Sequence, residues 1–237
     1  MQTIKIGLIG AMAEEIELIE RDLQKAETSV YAGIAFHEGE LHGCRVVLCK
    51  SGVGKVNAAV CTQLLIDRFG VTGVVFTGVA GALDPELDIG DIVISTDCMQ
   101  HDMDVTALGF AKGVIPFAEQ SEFSADPELV ELAWRESEAL FGKRVRKGRV
   151  LSGDRFVADR DEVRRLRGEF GGACVEMEGA AVAQVCAMNG IPFVIIRSMS
   201  DRADGSAHVD FTEFTRLAAD HSYQLVSRIM QRLSGKM

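Results

Sequence analysis

The chain has 237 residues, 25 Lys and Arg against 35 Asp and Glu for a formal charge of -10, and 47% hydrophobic residues. That apolar content excludes a disordered chain, and the acidic balance gives no field for nucleic-acid phosphates or an anionic membrane surface. A small molecule or another protein chain is the expected partner, and at roughly 150 residues per domain the length is that of one compact α/β unit or two.

IKIGLIG, from Ile4 to Gly10, predicts a buried strand, and EEIELIERDL places Ile16, Ile19 and Leu23 on one helical face. GIAFHEGELHGCRVVLCKSG predicts a hairpin turning over Glu40 to Gly43, followed by a helix through VNAAVCTQLLIDRFG that Gly70 closes. GVVFTG and DIVIS are expected as strands. SADPELVELAWRESEALFG predicts a helix with Asp126 as N-cap, Pro127 at its first position and Gly142 after its end. RKGRVLSG, ACVEME and PFVIIRSMS predict further strands, separated by helices in DEVRRLRGEF and GAAVAQVCAMNG, and a long helix runs from Phe211 to about Leu233. The stretch from Thr106 to Ser124 is irregular and is expected to be a lid or a subunit contact.

Continuous apolar strands alternating with helices predict a largely parallel or mixed sheet covered on both faces. The six cysteines, Cys44, Cys49, Cys61, Cys98, Cys174 and Cys186, form no C-x-x-C pair and mostly sit in apolar runs, as reduced core residues do. The N-terminus passes directly from a short apolar stretch into AEEIELIERD, and no run approaches the roughly 18 apolar residues of a membrane span. A soluble, cytoplasmic protein is expected.

In open α/β sheets ligands bind beyond the carboxyl ends of the strands, so polar residues there come first. Glu14 and Glu15 follow the first strand; for either alone, an acid favoured by the helix dipole is the plainer reading. Glu176 and Glu178 interrupt an uncharged stretch, and an i, i+2 spacing on a strand points both to one side. An ion pair with Arg197 accounts for one of them but not easily for both. Asp201 ends an apolar strand beside Ser200, either as a cap for the next turn or as a functional acid. Arg197 inside that strand is the more unusual residue, since a buried Arg needs an anionic partner.

SGVGKVNAA and TGVAGALDP suggest glycine turns at Gly52, Gly54, Gly78 and Gly81, which either admit a ligand to the backbone or let a helix pack on a strand. Gly52-x-Gly54-x-x-Asn57 lacks the third glycine of a dinucleotide fingerprint, and no phosphate-loop pattern fits. His101, Asp102 and Asp104 near Cys98 read as a polar loop sooner than as metal ligands. No metal or cofactor is expected.

GLIGAMAEEIE, KSGVGKVNAA, TGVAGAL, GDIVIS, HDMDVTALG, SGDRFV, VEMEGAAVAQVC and IIRSMSD follow in this order across nearly the whole chain. No one of these motifs is specific; the ordered set resembles the bacterial 5'-methylthioadenosine/S-adenosylhomocysteine nucleosidases of the nucleoside phosphorylase superfamily. The resemblance implies one domain over residues 1–237. Its fold would be a three-layer αβα sandwich with a central mixed, partly barrel-like sheet, active as a homodimer. It also implies hydrolysis of an N-glycosidic bond, releasing adenine and a 5-thioribose for methionine salvage.

Matched residue by residue, Asp201 falls on the acid that protonates adenine N7, supported by Ser200. Glu15 falls on the general base for water, with Glu176 and Arg197 holding that water, and Glu178 on the carboxylate facing the ribose. Phe156 would stack on adenine while the Val157 backbone reads its edge, and Ala80 and Gly81 would offer backbone near the sugar. Met12, Val53, Val105, Met177 and Phe211 would line the ribose and alkylthio pocket, with Leu108 and Pro116 reaching in from the partner subunit. Val79 stands where related phosphorylases carry a phosphate ligand, which favours water as nucleophile. Leu108 replaces a common aromatic residue. A futalosine or aminofutalosine hydrolase, differing only in the 5' substituent of its substrate, is the rival expectation.

Overall fold

The computed structural model describes residues 4–203 and 207–235, without the side chains of 207–213. The elements run in the order β1 (Lys5–Gly10), α1 (Ala13–Asp22), β2 (Gln24–Tyr31), β3 (Ile34–Leu41), β4 (Cys44–Lys50), α2 (Lys55–Phe69), β5 (Gly73–Ala82) and β6 (Ile92–Gln100). There follow β7 (Glu122–Ser124), α3 (Pro127–Phe141), β8 (Val145–Ser152), α4 (Arg160–Phe170), β9 (Gly172–Glu176), α5 (Gly179–Asn189), β10 (Phe193–Asp201) and α6 (Ala207–Ser234).

All strands join one mixed sheet in the order β10-β6-β8-β9-β5-β1-β4-β3-β2, with β7 on β6. β10 also pairs in parallel with β5, from Phe193 beside Val74 to Asp201 beside Gly81, so β10, β6, β8, β9 and β5 close on themselves as a small barrel. β1, β4, β3 and β2 extend from it as an open sheet. The single domain and its partly closed mixed sheet agree with the expected architecture.

Strand residues alternate between two cores, which is why the strands read as unbroken apolar runs. On β1, β4 and β10, Leu8, Leu48 and Ile196 face α1, α3 and α6, whereas their neighbours Ile9, Cys49 and Ile195 face α2 and α5. α4 covers a third, smaller cluster around Leu151 and Phe170. All six cysteines are buried and free. Among the described residues no helix is long and apolar enough to cross a membrane.

Helix ends follow their sequence signals. Asp126 accepts the backbone N–H groups of Glu128 and Leu129 ahead of α3, and Gly70 closes α2 with φ +60°. Other elements differ from expectation. The hairpin turn is His42–Gly43, both at positive φ, so β3 continues through Glu40 to Leu41. β2 is an additional strand at the sheet edge, and α6 begins at Ala207, before Phe211. Gly78 and Gly81 lie inside β5 and form no turn, whereas Gly52 and Gly54 do adopt positive φ, +84° and +97°.

Candidate active site

The carboxyl ends of β1, β5, β9 and β10 surround a cavity of about 220 Å³. Its polar wall is made by Glu15, Glu176, Glu178, Ser200 and Asp201, which come from three separate stretches of sequence. The apolar wall includes Met12, Val53, Phe156, Val157 and Met177, and Val79, Ala80 and Gly81 form the stretch contributed by β5.

Glu15 lies in the first turn of α1, where the helical rotation buries it at 4% exposure and leaves Glu14 exposed. Its Oε2 accepts the N–H groups of Ala11 (2.6 Å) and Met12 (2.9 Å), and its Oε1 accepts that of Val79 (3.0 Å). Burial pushes the carboxyl above its ordinary range, against the pull of Arg197 and these N–H groups. Glu15 is thus held between the β1 end and the middle of β5.

Glu176 ends β9 and is fully engaged. Arg197 Nε donates to its Oε2 at 3.1 Å and Arg197 Nη2 to the same oxygen, Ser152 Oγ donates to Oε1, and Gly179 N–H reaches both. Arg197 is 1% exposed and lies over the Phe76 ring at 3.9 Å from its centroid. Burial works against its cation, but Glu176 and Glu15 outweigh that and raise its pKa. Removing one partner of such a pair costs about 3–5 kcal/mol, because the other charge remains buried. Arg197 itself stands behind Glu176, off the cavity wall.

Glu178 is not on the strand. β9 stops at Glu176, and Glu178 is the N-cap residue of α5, so its direction is set by the strand-to-helix turn and not by an i, i+2 repeat. Its Oε1 accepts the Gly54 N–H at 2.7 Å. Burial, then the charge of Glu176, pushes its pKa up to about 8.

Asp201, 2% exposed, accepts Ser200 Oγ–H on Oδ2 (2.8 Å) and the Ala203 N–H on Oδ1 (2.7 Å). The β10 register shift between Met199 and Asp201 sets it opposite Gly81, where a Cβ would approach its Oδ1 to 2.8 Å.

Besides Arg197, the expected site residues that stand outside this wall are Val105, Leu108 and Pro116. Val105 was expected to line the cavity, but it precedes the 3₁₀ turn Thr106–Leu108. Asp104 Oδ1 accepts both N–H and O–H of Thr106 there and turns the chain onto the surface. Leu108 is 72% exposed, Pro116 is half-buried, and neither lines this chain's own cavity. The Phe211 side chain lies outside the described residues. Ala11, Val79, Arg155 and Val175 also line the cavity and were not predicted as site residues. Ala11 and Val79 act through backbone N–H, which no side-chain pattern signals; Arg155 had a signal in standing directly before Phe156.

Residues 5–231 match a family model described as the phosphorylase superfamily. The 5'-methylthioadenosine/S-adenosylhomocysteine nucleosidase of Geobacillus thermodenitrificans is 44% identical over 234 residues, 98% of this chain and 99% of the relative. The chain belongs to the 5'-methylthioadenosine/S-adenosylhomocysteine nucleosidase family. Within this nucleosidase family, the crystal structure from Neisseria meningitidis in complex with methylthio-immucillin-A is 42% identical, with a TM-score of 0.92 over 96% of this chain and 99% of that one. The fold is also shared outside these nucleosidases: futalosine hydrolase of Helicobacter pylori is 34% identical with a TM-score of 0.92, over 97% and 98% of the two chains.

Proposed function

We propose that this chain, as one catalytic domain over residues 1–237, hydrolyses the N-glycosidic bond of 5'-methylthioadenosine and S-adenosylhomocysteine. Adenine and a 5-thioribose are the products. The observation that carries the reading is the convergence of Glu15, Glu178 and Asp201, each buried, on one cavity whose other wall is apolar.

Glycoside cleavage through an oxocarbenium-like state needs an acid for the leaving group, negative charge near the sugar, and a base for water on the opposite face. Asp201 gives its proton to adenine N7, and the donors Ser200 Oγ–H and Ala203 N–H stabilise the carboxylate left behind. Phe156 stacks on the base and the Val157 backbone reads its edge. Glu178, aimed by the Gly54 N–H, meets the ribose hydroxyls, and the cation developing on the sugar draws its carboxyl, whose pKa burial and Glu176 raise to about 8, into the ionised form. Glu15 takes the proton of the attacking water; burial raises its basicity toward the working range of a general base. The Arg197–Glu176 pair holds that water's surroundings in place.

Phosphate is a poor alternative nucleophile, since Val79 offers no hydroxyl and Arg197 is engaged by Glu176. The protein acts as a cytoplasmic homodimer in methionine salvage, each subunit placing Leu108 and Pro116 against its partner's 5' pocket. The likeness to the Helicobacter pylori futalosine hydrolase supports a second reading, in which the same catalytic groups serve a futalosine-type substrate. Adenine release from 5'-methylthioadenosine, S-adenosylhomocysteine and aminofutalosine, compared as kcat/KM, decides between them.

A further inference from the structure

Behind the cavity wall, three chain segments meet at Lys55. Its backbone N–H donates to Asp154 Oδ1 at 2.8 Å, and its Nζ donates to Asp102 Oδ1 at 2.6 Å and Gln100 Oε1 at 3.0 Å. Asp102 Oδ2 accepts the Asp154 N–H at 2.9 Å, which closes a ring through both residues. Gln100 is fixed in turn by donating to Gln184 on α5 at 2.6 Å. The fit is tight, for a Cβ at Gly153 would come within 3.1 Å of Asp102 Cγ.

This ring joins two loops that both contribute to the cavity wall. One carries Val53 and the Gly54 N–H that aims Glu178; the other carries Phe156 and Val157. Lys55, Asp102 and Asp154 themselves lie outside the cavity wall. We propose that Lys55 and Asp102 are positioning residues that hold the base-binding loop 153–157 at a fixed distance from the ribose loop 51–55, and so align Glu178 with a substrate seated on Phe156.

The proposal rests on the nucleosidase reading for its kinetic test but not for its structural one. Lys55 and Asp102 side chains are 18% and 29% exposed, and an ion pair of that exposure adds little to folding stability. Misplacing bound groups by a fraction of an ångström to one ångström, by contrast, costs between about ten-fold and a hundred-fold in rate.

The experiment compares Lys55→Met and Lys55→Arg with the wild-type protein in kcat and KM for 5'-methylthioadenosine, melting temperature, and amide hydrogen exchange over 51–57 and 153–158. Lys55→Met is expected to lose about ten-fold to a hundred-fold in kcat/KM, chiefly through kcat, with faster exchange in both segments and only a small fall in melting temperature. Lys55→Arg should recover most of the loss. Unchanged kinetics and exchange in Lys55→Met would overturn the proposal. So would a loss that follows the melting temperature and is no smaller in Lys55→Arg. If wild-type protein releases no adenine, the nucleosidase reading fails, and the exchange comparison alone decides whether the two loops are held by this pair.

Discussion

Gly78 of β5 touches Glu15: a Cβ on Gly78 would stand 2.5 Å from Glu15 Oε1, and 3.1 Å from Arg197 Nη1. The glycine is there for close approach, with no turn involved. Gly78→Ala should displace the Glu15 carboxylate from the Val79 N–H and lower kcat by about a hundred-fold, since a shift of that size misplaces the base. Binding of adenine, assigned in the proposed reading to the Phe156 end of the cavity, should survive. Steady-state kinetics with an adenine inhibition constant measure both.

Folded Glu178 keeps its proton up to about pH 8, whereas the unfolded carboxyl releases it near 4.5. Between these values the folded chain binds the extra proton, so this group's contribution to stability declines as pH rises through the window. Glu178→Gln removes the penalty while retaining an acceptor for the Gly54 N–H. Its melting temperature should therefore exceed that of wild type by an amount that grows from pH 5 to pH 8, with turnover lost. Melting curves across that range test the sign.

Much of this site was legible because each polar residue interrupts an apolar run at a strand end, where an unpartnered charge is costly. Arg197 announced an anionic partner, and Glu176 is that partner. Three features were not legible, for physical reasons. Glu14 and Glu15 are adjacent and equally suited to a helix start, and only the docking of α1 on the sheet selects Glu15 for burial. β2 is an edge strand whose residues are nearly all exposed, so it carries no alternation of apolar and polar positions. The barrel closes through the β5–β10 pairing, a contact between residues more than a hundred positions apart with no local signature.

Leu108 and Phe117 are 72% and 94% exposed, and Phe117 packs edge-on to Phe110 at 5.7 Å. Large apolar side chains gathered on one surface loop mark an interaction site. Sedimentation should give a dimer, and Phe117→Asp should weaken it and reduce turnover together. A fully active monomer at assay concentration would remove the partner's Leu108 and Pro116 from the site.

Asp201→Asn keeps the size and one acceptor of the side chain but removes the transferable proton. A general acid contributes about 100-fold to 10,000-fold, and turnover should fall by at least that range. Affinity for a non-reactive substrate analogue should hold, because Phe156 and the apolar wall make contacts that do not depend on proton transfer. Near-normal turnover would take Asp201 out of the reaction.

The most direct test of the account is the identity of the sugar product when 5'-methylthioadenosine is incubated with the wild-type protein in phosphate buffer. Water as nucleophile, positioned by Glu15 beside a Val79 that cannot hold phosphate, predicts adenine and free 5-methylthioribose at a rate independent of phosphate. Accumulation of 5-methylthioribose 1-phosphate, or no release of adenine at all, would contradict it.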